Sequence, residues 1–288
     1  MRYAAHARTR CATLAGMPSG LHHDREGEGP PLVLLAGIGS SGAAWRPVVP
    51  LLAAEREVWR VDLPGFGRSA PLPDGDPCGI DALADAAELF LAEAGLERPH
   101  VAGNSLGGAV GLELGRRGSV ASVTALSPAG FAGRAGLQFA ARSLRLTHWL
   151  GGKLRPVAPK LVTRPRLRRL LYGQMFAHPE RLTPGEAYAH VVTLLDGSGF
   201  HDVLTDLDGH RFAGEIGVPV TVAWGTRDAL LLPAQALRAR RLLPDARHVW
   251  LHGCGHVPMS DDPAQVARVL LEGSSVAAPH EAVVSASG

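Results

Sequence analysis

Short apolar runs closed by turn residues recur along this chain, and they leave few architectures open. "PLVLLAG" (Pro31–Gly37), "EVWRVDL" (Glu57–Leu63), "HVAGN", "VASVTALSPAG", "VPVTVAWG" (Val218–Gly225) and "RHVWLHG" read as strands apolar on both faces. Between them lie longer amphipathic stretches: "IDALADAAELFLAEAGL" (Ile80–Leu96), "SLGGAVGLELGRRG", "PAQALRARRLL" and "DPAQVARVLL". A strand that is apolar on both faces needs cover on both, and alternation with helices supplies it. The expected fold class is therefore α/β, with a mostly parallel, doubly wound sheet.

One segment breaks the rhythm. From about Phe131 to Phe212 there is no strand pattern, only helical stretches such as "LQFAARSLRLTHWL" and "PRLRRLLYGQMF". An all-helical insertion between parallel strands is expected to lie over their C-terminal edge, where open α/β sheets bind ligands. The expected division is a core over 1–130, a helical cap over 131–213, the rest of the core over 214–273 and a flexible tail over 274–288. The first thirty residues are expected to add edge strands, with "SGLHHDREGEG" as the second arm of a hairpin.

Composition excludes several classes. Apolar residues at 46% and charged residues at 19% suit a globular chain, and a net charge of +2 gives no reason to expect nucleic acid. Three scattered cysteines (Cys11, Cys78, Cys254) form no CxxC pair, so neither a disulfide framework nor a metal site is expected. No run has the length of a signal peptide core or a membrane span, so a cytoplasmic location without an integral membrane segment is expected. The oligomeric state stays open.

"AGNSLGG" (Ala102–Gly108) follows one of these strands and sets Ser105 between glycines at −2 and +2. Such glycines let a strand and the following helix approach without a Cβ clash. The helix would then aim its first N–H groups at charge developing beside the serine. A serine hydroxyl is a weak nucleophile, so it needs a base and a group to orient that base. Two later strands supply them: "VTVAWGTRDALL" places Asp228 three residues beyond Gly225, and "RHVWLHGCGHVPMSDDP" carries His256 in a Gly-rich loop. "LLAGIGSSGAAW" adds a glycine loop after an early strand.

With these elements in this order, the chain resembles the α/β-hydrolase superfamily, in the branch with a helical cap after the sixth strand. The resemblance covers roughly Gly20 to Gly273, and "DLPGFGRS" (Asp62–Ser69) resembles a structural turn after the family's fourth strand. It implies Ser105 as nucleophile, His256 as general base and then acid, and Asp228 as the carboxylate orienting His256. It further implies an oxyanion hole from the backbone N–H groups of Leu106 and Ile38. Members commonly carry His-Gly where this chain has Ala36-Gly37, but the donor there is a backbone group. The implied activity is hydrolysis of an ester or related acyl bond of a small, largely apolar substrate, without cofactor or metal. A carbon–carbon bond hydrolase with the same triad, or a non-catalytic binder of the same fold, are the alternatives.

Blander roles compete for several residues. Asp228 could cap the next helix; Asp261 and Asp262 precede Pro263 and read as N-cap residues. Asp62, Asp74 and Asp76 follow no late strand. His252 reads as half-buried structure and Cys254 as a packing residue. Ten Arg or Lys between Phe131 and Leu170 (Arg134, Arg142, Arg145, Lys153, Arg155, Lys160, Arg164, Arg166, Arg168, Arg169), with no acid among them, read first as solvated helix faces. Attraction of an anionic substrate, an acidic partner or a membrane surface is the other reading. Trp149, Tyr172, Met175 and Phe176 read as cap core before substrate wall.

Overall fold

The computed structural model describes residues 19–73, 78–207 and 209–275. Its strands are β1 (His23–Glu26), β2 (Pro31–Leu35), β3 (Glu57–Val61), β4 (His100–Asn104), β5 (Ser122–Leu126), β6 (Val220–Gly225) and β7 (Arg247–Leu251). They form one sheet in the order β1-β3-β2-β4-β5-β6-β7. Every pairing is parallel except β1 with β3, where His23 stands opposite Val61 and Glu26 opposite Val58. The expected α/β class with a mostly parallel sheet is what forms. The expected first arm of the β1 hairpin falls within residues 1–18, outside the described residues, as do Asp74, Asp76 and Cys11.

Alternation along the strands builds two cores. Val33 and Leu35 of β2, Val61 of β3, Val101 of β4 and Val222 of β6 point to one face. Helices α2 (Ile80–Glu93) and α3 (Leu106–Arg117) cover that face with Leu83, Phe90, Val110 and Leu114. Leu32, Leu34, Val58, Ala102 and Ala223 point to the other face. There the short α1 (Val49–Leu52) and the last helix supply Leu52, Val266 and Leu270. A period of two on a sheet covered on both sides explains why the strands read as continuous apolar runs.

Between Leu126 and Val220 the described elements are helical: α4 (Arg134–Leu154), α5 (Ala158–Leu161), α6 (Pro165–Tyr172), α7 (Pro184–Asp196), α8 (Phe200–Asp206) and a short 3-10 turn (Pro179–Arg181). Helix α7 starts with a reciprocal cap, Glu186 N–H donating to Thr183 Oγ1 and Thr183 N–H to the Glu186 carboxylate. Five described strands precede this insertion, residues 1–18 lying outside the description, and the "DLPGFGRS" turn follows β3. The sheet resumes with β6 and continues through α9 (Ala234–Leu242), β7, α10 (Pro258–Asp261) and α11 (Pro263–Gly273). Ser274 and Ser275, the first residues of the expected tail, both hold Arg56 by hydrogen bonds; the rest of the tail lies outside the described residues.

The insertion has its own small core of Val162, Tyr172, Phe176, Leu182 and Ala187. Trp149 departs from the sequence expectation: it is 59% exposed and packs in no core. Arg168 departs too. It is buried, and its guanidinium donates to the carbonyls of Val162 (2.6 Å), Glu180 (2.9 Å) and Pro179 (3.3 Å). A cation placed to tie three loop carbonyls is a staple rather than part of a solvated face.

Arg168→Met is expected to leave those carbonyls without a donor and to destabilise the insertion by about 2–4 kcal/mol. Urea unfolding followed by circular dichroism measures it, and an unchanged midpoint would contradict the staple.

Candidate active site

Ser105 joins β4 to α3 with φ 56° and ψ −112°, a conformation that residues with a Cβ rarely adopt. The turn is tied on every side. Ser105 N–H donates to Leu126 O on β5 (2.9 Å), and Ser105 O accepts from Ala109 N–H (3.0 Å) and Ala129 N–H (3.1 Å). A Cβ on Gly103 would lie 2.5 Å from Gly108 N and closer still to Gly107 O. One on Gly107 would lie 2.6 Å from Ala36 O and closer to Leu35 O. The glycines flanking the serine are therefore required by backbone contact, not by flexibility.

Asp228 sits just beyond β6, buried, and its carboxylate is fully engaged. Oδ1 accepts from the N–H groups of Leu230 (3.0 Å) and Leu231 (2.8 Å), and Oδ2 accepts from His256 Nδ1 at 2.8 Å. A neutral His256 ring with its hydrogen on Nδ1, facing the carboxylate, would leave Nε2 as an acceptor. Asp228 thus bonds the two backbone N–H groups that follow it and the histidine as well.

Ser105 and His256 are connected through Asn104, whose Nδ2 donates to His256 O (2.9 Å) and to Leu126 O (3.1 Å). No hydrogen bond joins the Ser105 hydroxyl to the His256 ring among the described residues.

Leu106 and Ile38 both border the cavity at the serine. Leu106 is the first residue of α3, where N–H groups have no helical partner. Gly37 brings the loop after β2 against Ser105; a Cβ there would stand 3.3 Å from Ser105 Cβ. Ile38, Ser105 and Leu106 line a common cavity of about 60 Å³, together with His210 and Gln235. Gln235 is buried, and its Oε1 has no partner among the described residues, so it stands as an acceptor in the cavity wall.

A larger cavity of about 560 Å³ adjoins this one, sharing Ile38 and Leu144. It lies under α4 to α7 and is lined mainly by apolar side chains, Leu154, Val162, Met175, Phe176 and Leu194 among them, and by Val257 next to His256. Tyr172, Met175 and Phe176 therefore serve as insertion packing and as cavity wall at once. His190 also lines it; burial pushes its ring down to about 4, against the pull of Glu186, so it is neutral near pH 7.

Two sequence expectations need correction here. Asp262 caps α11 by accepting from Gln265 N–H (2.9 Å), but Asp261 caps nothing. Its buried carboxylate accepts from Gly255 N–H (2.8 Å), Ala177 N–H (3.0 Å) and His178 N–H (2.8 Å), joining the His256 loop to the insertion. His252 is exposed just past β7, with its N–H on Gln265 Oε1. Cys254 packs in the core as expected, and burial, then the Asp261 and Asp262 charges, push its thiol up to about 12. Asp62 is also structural, accepting from Gly42 N–H (2.6 Å) and Arg68 N–H (2.9 Å). Asn104 and Asp261 carried no sequence signal of these roles.

Comparison with known proteins gives a family and several similar proteins. The sequence profile of the Alpha/beta hydrolase family matches residues 32–269. A pimeloyl-[acyl-carrier protein] methyl ester esterase of Aeromonas hydrophila is 44% identical over 91 residues, 32% of this chain and 34% of that protein. The dihydrolipoyllysine-residue acetyltransferase component of the acetoin cleaving system of Pseudomonas putida is 30% identical over 250 residues, 84% of this chain and 63% of that protein. The chain thus spans about a third of the first relative's length and less than two thirds of the second's. Among solved structures, the enol-lactonase of Burkholderia xenovorans superposes with a TM-score of 0.72 at 23% identity, over 89% of this chain and 96% of that one, a likeness of fold.

Gly103→Ala is expected to destabilise the protein by more than about 3 kcal/mol, because a backbone oxygen occupies the space of the new Cβ. Gly111→Ala, in the helix that follows, would meet only Val101 and Val123 side chains at 3.4 Å and is expected to be tolerated. Thermal unfolding of the pair measures the difference; equal behaviour would contradict the contact.

Proposed function

The chain belongs to the alpha/beta hydrolase family, and on that premise we propose that it is a serine hydrolase. Its substrate is an ester, or a related acyl compound, that is small and largely apolar. The observation that carries the reading is the Asp228–His256 hydrogen bond at 2.8 Å, tethered through Asn104 to a serine held at φ 56°. The esterase among the relatives supports the choice of bond.

His256 Nε2 takes the Ser105 proton as Oγ attacks the carbonyl carbon, and Asp228 stabilises the imidazolium. The N–H groups of Leu106 and Ile38 receive the negative oxygen of the tetrahedral intermediate. The imidazolium then protonates the leaving alcohol, which departs and leaves the acyl group on Ser105. A water molecule attacks the acyl carbon as His256 takes its proton, and the imidazolium then gives that proton to Ser105 Oγ as the acid leaves. Helices α4 to α8 act as the cap, and the apolar cavity of about 560 Å³ beneath them takes the apolar arm of the substrate. The Gln235 oxygen, without a partner among the described residues and in the wall of the cavity that Ser105 also lines, favours a substrate, or a hydrolytic water, that brings a donor to it.

Short p-nitrophenyl esters test this reading, since their turnover also separates an enzyme from a binder of the same fold. Ser105→Ala is expected to lower kcat by about three orders of magnitude or more with folding intact, and Asp228→Asn to lower it strongly as well. A Ser105→Ala protein that kept more than about a tenth of the activity would end the nucleophile assignment.

A further inference from the structure

Helix α4 turns Ala140, Ala141 and Leu144 inward. Its outward face carries Phe139, Arg142, Leu146, Trp149 and Lys153, spaced by three and four residues as one stripe. Leu146 and Trp149 are each 59% exposed and Phe139 47%, positions a solvated helix ordinarily gives to polar residues. The cations among them are uncommitted. Arg155 and Arg169 pair with Asp196 and Glu180, but Arg134, Arg142, Arg145 and Lys153 make no ion pair among the described residues.

The stripe adjoins the mouth of the large cavity. Leu146 and Leu150 of α4 are both exposed and cavity-lining, as is Leu170 of α6 at 78% exposure. An apolar surface interleaved with unpaired cations is complementary to a layer of anionic headgroups over acyl chains. An acidic protein surface would answer the cations but leave Phe139, Leu146 and Trp149 without apolar cover.

We propose that this face of the insertion docks the protein on an anionic lipid–water interface, with the cavity mouth turned toward the lipid. Phe139, Leu146 and Trp149 enter the headgroup boundary, and Arg142, Arg145 and Lys153 lie among the phosphates. An amphiphilic substrate then passes from the lipid into the cavity without crossing water. Docking does not depend on the hydrolase reading, because no step of it uses Ser105.

Co-sedimentation of the full chain with vesicles tests it, using phosphatidylcholine alone against phosphatidylcholine with about one third phosphatidylglycerol. The wild type is expected to bind the anionic vesicles and to be released as salt shortens the screening length. The double variant Phe139→Ser/Trp149→Ser and the triple variant Arg142→Glu/Arg145→Glu/Lys153→Glu are each expected to bind about tenfold more weakly or worse. All these positions lie on the surface, so hydrolysis of a short soluble ester is expected to stay at the wild-type level. Ser105→Ala is expected to bind vesicles like the wild type, which keeps docking distinct from catalysis. Failure of the wild type to bind anionic vesicles overturns the proposal, as does binding unaffected by both variants. Capture of acidic acyl carrier protein in place of vesicles would overturn it in favour of a protein partner. A dimer abolished by Trp149→Ser without vesicle binding would overturn it in favour of a second copy.

Discussion

A residue with a Cβ held at positive φ costs about 1–3 kcal/mol, and it persists only where its surroundings leave the chain no other path. At Ser105 the surroundings do so. The turn is locked by hydrogen bonds to Leu126, Ala109 and Ala129 and by contact of the Gly103 and Gly107 backbones with their neighbours. The same close approach aims the start of α3 at the serine and brings the loop after β2 beside it. From one residue before this corner, Asn104 reaches His256 and ties the histidine loop to the serine turn.

Carboxylates hold the rest together, each by collecting backbone donors. Asp62 closes the turn after β3, and Asp228 bonds two N–H groups as well as His256. Asp261 joins the His256 loop to the insertion at Ala177 and His178, and Val257 N–H adds a bond to Met175 O (2.8 Å). The histidine loop and the wall of the large cavity are thus one hydrogen-bonded unit. Any shift of the insertion at this seam reaches the imidazole through the backbone.

The sheet and the glycine pair around Ser105 were legible because both depend on local rules: the period of strands covered on two faces, and the absence of room for a Cβ. Asp228 and His256 could be singled out by chain order, because strand ends of a parallel sheet share one edge. Asp261 escaped because its nearest signal, an acid before Pro263, matched a helix cap, while two of its partners lie 83 and 84 positions away. Arg168 was hidden inside a basic run, since the carbonyls that surround a buried cation leave no pattern in sequence. Trp149 was misjudged because a Trp at helical spacing looks the same whether its face is covered or bare. The β1–β3 pairing was unreadable for a related reason: strand order is set by long-range packing.

Under the proposed function, Ser105 is the activated hydroxyl. The direct measurement is reaction of the wild-type protein with a fluorophosphonate, followed by mass spectrometry of its peptides. The account predicts a single stoichiometric adduct on Ser105, formed far more slowly when Asp228 is replaced by asparagine. An adduct on any other residue, or ester hydrolysis that continues with Ser105 unlabelled, would contradict it.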